Sequence, residues 1–523
     1  MRFTRHLQLK RTPQNRPLAG ANQVKNSAGG FTWMVDKWSL LDRFLILGTE
    51  NGTFYVSEKK LTERQAENCL ELIEKDGLRT IARVVEISES GRAVRNDAAV
   101  FVLALAAAFG NPETKRAAYA SLPRVARTGT QLFQFVSDVD EMRGWGRGLR
   151  KAVGAWYTSK TPEALAYQAL KYQQREGWSH RDVLRLAHPK TENPQLNGVL
   201  NWITSGATEE AGSQIQAWEK LKREDNVVSA AYLIAENRLP REAVPTELLK
   251  SPAVWEALLL DMPMGAMVRN LGVMSSVGLL TPGSKASIEV ASRLKDELLL
   301  RKARVHPMSL LIALRTYVSG RGLRGTNTWT PVKNVVDALE AGFYLSFASV
   351  QPSGKRHLLA LDVSGSMGWS FLANTNLSAS EASAAMALVT MKTEPATEVV
   401  LFAEKMKQMK WNRLMDLNTI LKNVRGLTFG ATDCAQPMLY AIREKLEVDA
   451  FVVYTDNETW CGGIHPAQAL REYREKSGID AKLIVAGMTA TDFTIADPKD
   501  PGMLDIVGFD ASAPVAMREF LVS

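Results

Sequence analysis

Little in the sequence would staple the chain together or carry it across a membrane. Its three cysteines, Cys69, Cys434 and Cys461, form no CxxC pair and lie far apart. That excludes a disulfide framework and a local structural zinc, and it fits a reducing compartment. No apolar run approaches the roughly 20 residues that span a bilayer. The basic N-terminus has no apolar segment behind it, so no cleaved secretory signal is expected. Glycine and proline are sparse, 36 and 21 of 523 residues, while 46% of the chain is apolar and 23% charged. This excludes a disordered, collagenous or low-complexity protein. A hydrolase signature is missing too. Ser366 lies in Gly365-Ser366-Met367-Gly368 rather than GxSxG, and none of the six histidines has metalloprotease spacing. The expectation is a cytoplasmic, non-enzymatic protein of at least two domains.

Acidic residues are absent from positions 1–35, which contain Arg2, Arg5, Lys10, Arg11, Arg16 and Lys25. Residues 1–25 therefore read as a flexible basic arm able to touch phosphates. The whole chain carries a formal charge of +8, unevenly spread. The segment from Ser353 onward has 17 Lys and Arg against 21 Asp and Glu, leaving 47 basic and 35 acidic residues before it. A basic excess confined to one part is what a polyanion-binding surface produces, although a solvated surface would share it.

From about Leu61 to Ala348 the pattern is helix after helix. In LTERQAENCLELIEKDG the apolar positions Leu61, Ala66, Cys69, Leu70 and Ile73 recur mostly at threes and fours. Thr62 with Gln65 resembles a capping box and Gly77 a stop. Similar segments follow at about 98–109, 112–125, 146–159, 161–175, 210–222, 228–236, 286–300, 307–319 and 331–348. Short breaks rich in Gly, Pro or Asn separate them, which together predicts an all-α helical-repeat domain over 26–352.

Past Gln351-Pro352 the period changes. Apolar runs at 357–363, 398–403, 450–455 and 482–487 alternate with helical stretches at 379–392, 434–446 and 466–476. Residues 353–523 are thus expected to form a doubly wound α/β domain with a mostly parallel sheet. The first run ends in Asp362-Val363-Ser364-Gly365-Ser366, where ligands bind an open α/β sheet. Later loops add Thr432 and Asp456 at the same edge. Such oxygen donors suit a divalent cation, Mg²⁺ first and Ca²⁺ or Mn²⁺ as alternatives. The set Asp362, Ser364, Ser366, Thr432 and Asp456 resembles the metal-ion-dependent adhesion site of von Willebrand factor A domains. There a carboxylate from a protein ligand can complete the coordination.

In the helical part, Arg147 and Lys151 are one turn apart with Arg150 beside them, and Lys171 and Arg175 are again four apart. Arg181 and His188 follow after a break at Gly177. Clustered cations of this kind suit phosphate contacts, with His able to donate to a phosphate or a 2′-hydroxyl. Trp145 and Trp178 read as packing rather than base-stacking platforms.

The segments NSAGGFTWMVD (26–36), RGWGRGLRKAVGAWY (143–157), KYQQREGWSHRDVLRLAH (171–188) and HPMSLLIALRTYVSGRGLRG (306–325) resemble the TROVE module. With LALDVSGSM and VVYTDNETWCGGIHPAQALREYR, the chain is similar from Asn26 onward to the Ro ribonucleoprotein family. The resemblance implies a monomeric ring of HEAT-like repeats closed by the von Willebrand A domain. It implies small non-coding Y RNA on the outer surface and single-stranded 3′ ends of misfolded or decaying RNA in a central hole. Roles in RNA quality control, maturation and stress survival come with it, as does an exoribonuclease tethered through Y RNA in bacterial members. Family positions for Y RNA correspond to Lys171, Arg175 and His188, whereas Arg147, Arg150, Lys151 and Arg181 are added from charge clustering. The alternative is a metal-dependent interaction module whose basic surface takes an acidic protein.

Overall fold

The computed structural model describes residues 11–49, 57–93, 95–322, 326–371, 377–425, 427 and 430–523. From Lys37–Leu47 to Lys333–Leu345 the chain is a succession of helices packed on near neighbours in sequence. Local chemistry sets many of their starts. Asn111 accepts hydrogen bonds from the Glu113 and Thr114 amides at the head of Pro112–Val125. Thr128 with Gln131, and Ser179 with Asp182, form reciprocal capping boxes. Among the described residues no helix is long and apolar enough to cross a membrane.

The C-terminal domain is built on six strands, ordered Met503–Val507, Lys482–Gly487, Ala450–Thr455, Arg356–Asp362, Ala396–Phe402 and Met406–Met409. All pair in parallel except the Met406–Met409 edge. Alternation along the strands divides the core. Leu358, Ala360, Val453 and Val485 close one face against helices Gln436–Glu444 and Pro466–Ser477. Leu359, Leu361, Val452 and Ile484 face the other way, into a cluster that runs without interruption into the helical region. The sheet therefore shares one of its two cores with the helices.

Both ends of the helical region dock on this domain and on each other. Arg43, fully buried in Lys37–Leu47, holds Asp505 through two 2.7 Å contacts and reaches the Thr491 and Phe493 carbonyls. Farther along, Arg315 pairs with Glu381 at 2.8 Å, and Glu340 accepts from the Leu417 amide. Between the ends, His306 Nε2 meets the Arg92 carbonyl at 3.1 Å across 214 residues of sequence. The helical run closes on itself.

Several expectations are corrected. Residues 11–25 are not a free arm; residues 1–10 lie outside the described residues. Gln14 is buried, and Gln23–Lys25 pairs with Phe31–Met34, which in turn pairs with Phe493–Thr494 of the C-terminal domain. Amide side chains and strand pairing, with no apolar period, hold this strap. The helix from Glu58 does break beside Gly77, at Asp76, whose non-helical φ of −154 and ψ of 72 divide the run Glu58–Ser90 in two. Ser57, not Thr62, caps it. The helix expected over 161–175 ends at Lys171, and 286–300 divides into Lys285–Leu294 and Glu297–Lys302.

Candidate functional site

Asp362 is the last residue of the central strand. Its Oδ1 accepts from the Ser364 amide at 2.9 Å and its Oδ2 from the Thr455 hydroxyl at 2.7 Å. Ser364 heads the short helix Gly365–Trp369, and its hydroxyl lies 3.1 Å from that of Ser366. Ser366 in turn hydrogen-bonds Asp456, which directly follows strand Ala450–Thr455. Thr432 lies in the loop before Gln436–Glu444, its carbonyl accepting from the Trp460 amide at 3.1 Å in the loop that follows Asp456. All five are at most 2% exposed. The structure thus brings the five sequence-predicted residues to the carboxyl edge of the sheet.

The electrostatics of this cluster are unbalanced. Burial first, then the charge of Asp456, pushes the Asp362 carboxyl above its ordinary range, and burial does the same to Asp456. Neither forms a salt bridge with Lys, Arg or His among the described residues. Asp456 Oδ2 is buried with no hydrogen-bond partner. Two buried carboxylates, three hydroxyls and an orphaned oxygen fit a hard divalent cation. Among the described residues no group of three or more His, Cys, Asp or Glu is placed to hold a metal, so a cation here would depend on hydroxyls as well.

Sequence reasoning missed the supporting layer. Glu458 is buried beside Asp456, and burial, then that charge, raises its pKa to about 8. Its carboxylate accepts from the Ala28 amide at 2.9 Å. Gln14 Nε2 donates to Asp433 Oδ1 at 2.7 Å and to the Ile464 carbonyl at 2.8 Å, and the Thr459 hydroxyl donates to its Oε1. Asn26 donates to the Thr459 carbonyl at 2.8 Å. Gly30 lies so close that an added Cβ would meet the Thr459 oxygen at 1.9 Å. The N-terminal strap therefore grips the loop that carries Asp456. Asp456 and Glu458 straddling Asn457 after a strand gave a legible hint; Gln14 gave none.

The basic residues fall into two groups. Arg147, Arg150 and Lys151 are exposed along helix Arg147–Thr158. His188, also exposed, ends the neighbouring helix His180–Ala187 in a left-handed conformation. The next residue, Pro189, comes within 3.6 Å of a Cβ at Gly154, so His188 belongs beside that helix. Arg181, on the same helix as His188's cap, donates to the Thr204 carbonyl at 3.1 Å. Lys171 and Arg175 do not share a helical face. Arg175 sits in a two-residue strand paired with Trp178 around Glu176-Gly177, both at positive φ, and contacts Glu176 at 2.9 Å. Lys171 is half-buried, donating to the Tyr167 hydroxyl at 3.2 Å, and burial lowers its pKa. Trp145 and Trp178 pack on one another, ring centroids 5.7 Å apart. His465 bonds the Arg16 carbonyl and Gln23 and lies in no triad arrangement with a serine.

A closed run of paired helices, sealed by an open parallel sheet with a hydroxyl–carboxylate cluster at its carboxyl edge, defines a two-domain protein of TROVE and von Willebrand A type. The TROVE domain family model matches residues 24–238 and 236–317, and the Ro60 vWA domain model matches 356–521. The chain belongs to the Ro60 family. It is 43% identical to the RNA-binding protein RO60 of Deinococcus radiodurans over 97% of both chains. To the RNA-binding protein RO60 of Caenorhabditis elegans it is 36% identical, covering 98% of this chain and 92% of that one. The crystal structure of the Deinococcus radiodurans RO (RSR) protein superposes with a TM-score of 0.71 at 42% identity, covering 93% of this chain and 99% of that one.

Proposed function

We propose that this protein is an RNA-binding scaffold. In this reading it holds a small non-coding RNA of the Y type on the outside of the helical region and a single-stranded 3′ end in the opening the closed helices surround. The observation that carries it is the exposed basic face formed by Arg147, Arg150, Lys151 and His188 on two packed helices, in the part of the chain before Ser353 that holds the whole basic excess. Phosphate binding needs clustered, solvent-facing cations of this kind. Relatives spanning nearly the whole chain are named as RNA-binding proteins. The role is quality control and maturation of RNA in the cytoplasm under stress, with an exoribonuclease recruited through the bound RNA. The chain itself is a binder rather than a catalyst.

Asp362, Ser364, Ser366, Thr432 and Asp456 would hold the divalent ion, Mg²⁺ by the hardness of its donors. When bound, the ion supplies a Lewis-acidic position for an anionic oxygen such as a partner's carboxylate. The protein's own part is to keep Asp362 fixed through Thr455 and the Asp456 loop fixed through the strap. Purification of the full chain from its cells, followed by nuclease treatment and sequencing of what is released, tests the proposal. A discrete small RNA is expected. An acidic protein in place of RNA would favour the interaction-module reading instead.

A further inference from the structure

A cavity of about 580 Å³ lies where the two ends of the helical run meet. That volume is within the ordinary range of small-molecule sites. One wall comes from the Ser88–Asn96 stretch and Arg127, the other from helices Met264–Ser276 and Pro307–Val318. The metal cluster and the basic helix Arg147–Thr158 contribute nothing to it.

Its lining is chemically one-sided. Arg127, Arg269 and Arg304 all face it, and no Asp or Glu does. None of the three has a carboxylate salt-bridge partner among the described residues. The nearby Glu89 is taken by Arg124 through contacts of 2.8 and 2.6 Å. Arg127 is aimed by hydrogen bonds to the Ser88 hydroxyl and the Arg124 carbonyl, both 2.9 Å, which leave the rest of its guanidinium uncommitted. Burial, then repulsion from Arg304, lowers the Arg127 pKa, with the charge of Glu89 opposing them in part. Arg304 holds a left-handed backbone at φ 50, a conformation that costs a non-glycine residue energy, and it stands 3.5 Å from a Cβ position at Gly91. Like charges gathered in a half-enclosed space, with strain at one of them, leave an unfilled demand for an anion.

Much of the remaining surface is apolar. Val268, Leu271 and Ile312 contribute to it, along with Trp329, which is fixed by a 2.8 Å bond from its indole N–H to the Tyr317 carbonyl and by contact with Gly272. The Thr316 hydroxyl is buried on this wall with no partner. We infer that the seam cavity binds one phosphorylated nucleoside, its phosphate on Arg127 and Arg304 and its base against the apolar wall. The ligand is either a free nucleotide or the phosphate-bearing end of an RNA, and the second source rests on the RNA reading above.

Equilibrium dialysis of the full chain with AMP, adenosine and ribose 5-phosphate tests the inference. AMP should bind roughly tenfold or more tightly than either fragment, since each fragment lacks one half of the recognition. Arg304→Gln should weaken AMP by roughly tenfold or more. Gly265→Phe places a ring in the cavity from a position whose Cβ has nothing within 4 Å. It should abolish AMP binding while circular dichroism and melting temperature are retained. Competition of AMP by a short single-stranded RNA ending in a phosphate assigns the site to RNA ends; absence of competition assigns it to free nucleotide. No AMP binding, AMP no tighter than adenosine, or AMP binding untouched by both variants overturns the inference. Binding of a structured RNA, measured on the same samples, is a separate readout: its loss from the wild type with AMP retained sinks the RNA reading and leaves the cavity standing.

Discussion

The helical and C-terminal regions differ in charge and in how their cores are enclosed. Before Ser353 basic residues exceed acidic ones, 47 to 35; after it the balance reverses, 17 to 21. The helical region has one core, which flows into one face of the sheet, while the sheet's other face closes privately on two helices. Surface functions can therefore be separated between the regions, but the shared core cannot. Substitutions at the junction should cost the whole chain, and substitutions on either outer surface should cost one activity.

The largest expected effect is at that junction. Arg43→Ala leaves Asp505 and two carbonyls without their buried partner, a loss of about 3–5 kcal/mol. It should appear as a lowered urea midpoint of the full chain; a change below about 1 kcal/mol would mean that the two regions are held together elsewhere.

One source of acid sensitivity lies in the helical region. His180 is buried against Tyr157, and burial depresses its pKa to about 4 from the ordinary 6.5. The folded state keeps it neutral while the unfolded chain takes up a proton. Stability from this group is therefore full above pH 6.5 and falls as pH drops toward 4, by up to about 1.4 kcal/mol per pH unit. His180→Asn should flatten that part of the denaturation-midpoint profile, and an unchanged slope would assign it to other groups.

On the C-terminal side, Mg²⁺ at about 100 times its dissociation constant should stabilise the chain by about 2.7 kcal/mol through linkage. Asp362→Ala should remove that response in a thermal melt. An identical response in the variant would place the ion elsewhere. The smallest effect is on the basic side: Lys171→Ala with Arg175→Ala should weaken Y-type RNA and reduce the salt slope by roughly one unit per lost phosphate contact. The exposure of Arg175 and the burial of Lys171 lead us to expect most of that change from Arg175 alone.

The two regions also differed in how much their sequences disclosed. Strands Ala450–Thr455 and Lys482–Gly487 were legible to the residue, because a parallel strand buried on both faces is an unbroken apolar run with polar ends. The hydroxyl–carboxylate cluster was largely legible for the same reason, since Asp362 ends such a strand and Asp456 directly follows another. In the helical region boundaries were harder to place. Gly77 marked the break at Asp76 and also packs closely, since a Cβ there would meet the Thr114 hydroxyl at 2.3 Å. Helix 161–175 was overextended because only Gly177 marks the Glu176-Gly177 turn, and a polar Gln-rich stretch fits helix as well as hairpin. The strap over 11–34 was illegible because Gln14 and Asn26 bind backbone and amide groups, which impose no hydrophobic period.

The central claim is that RNA is held by the helical region and not by the C-terminal domain. Its most direct test is the affinity of the full chain for a stem–loop RNA with a single-stranded 3′ tail, followed by fluorescence anisotropy over a range of salt concentrations. We expect log K to fall linearly with log salt, with Arg147→Ala, Arg150→Ala and Lys151→Ala together weakening binding and flattening the slope while Asp362→Ala leaves both unchanged. Loss of RNA binding in folded Asp362→Ala, with the triple variant unaffected, would contradict the account.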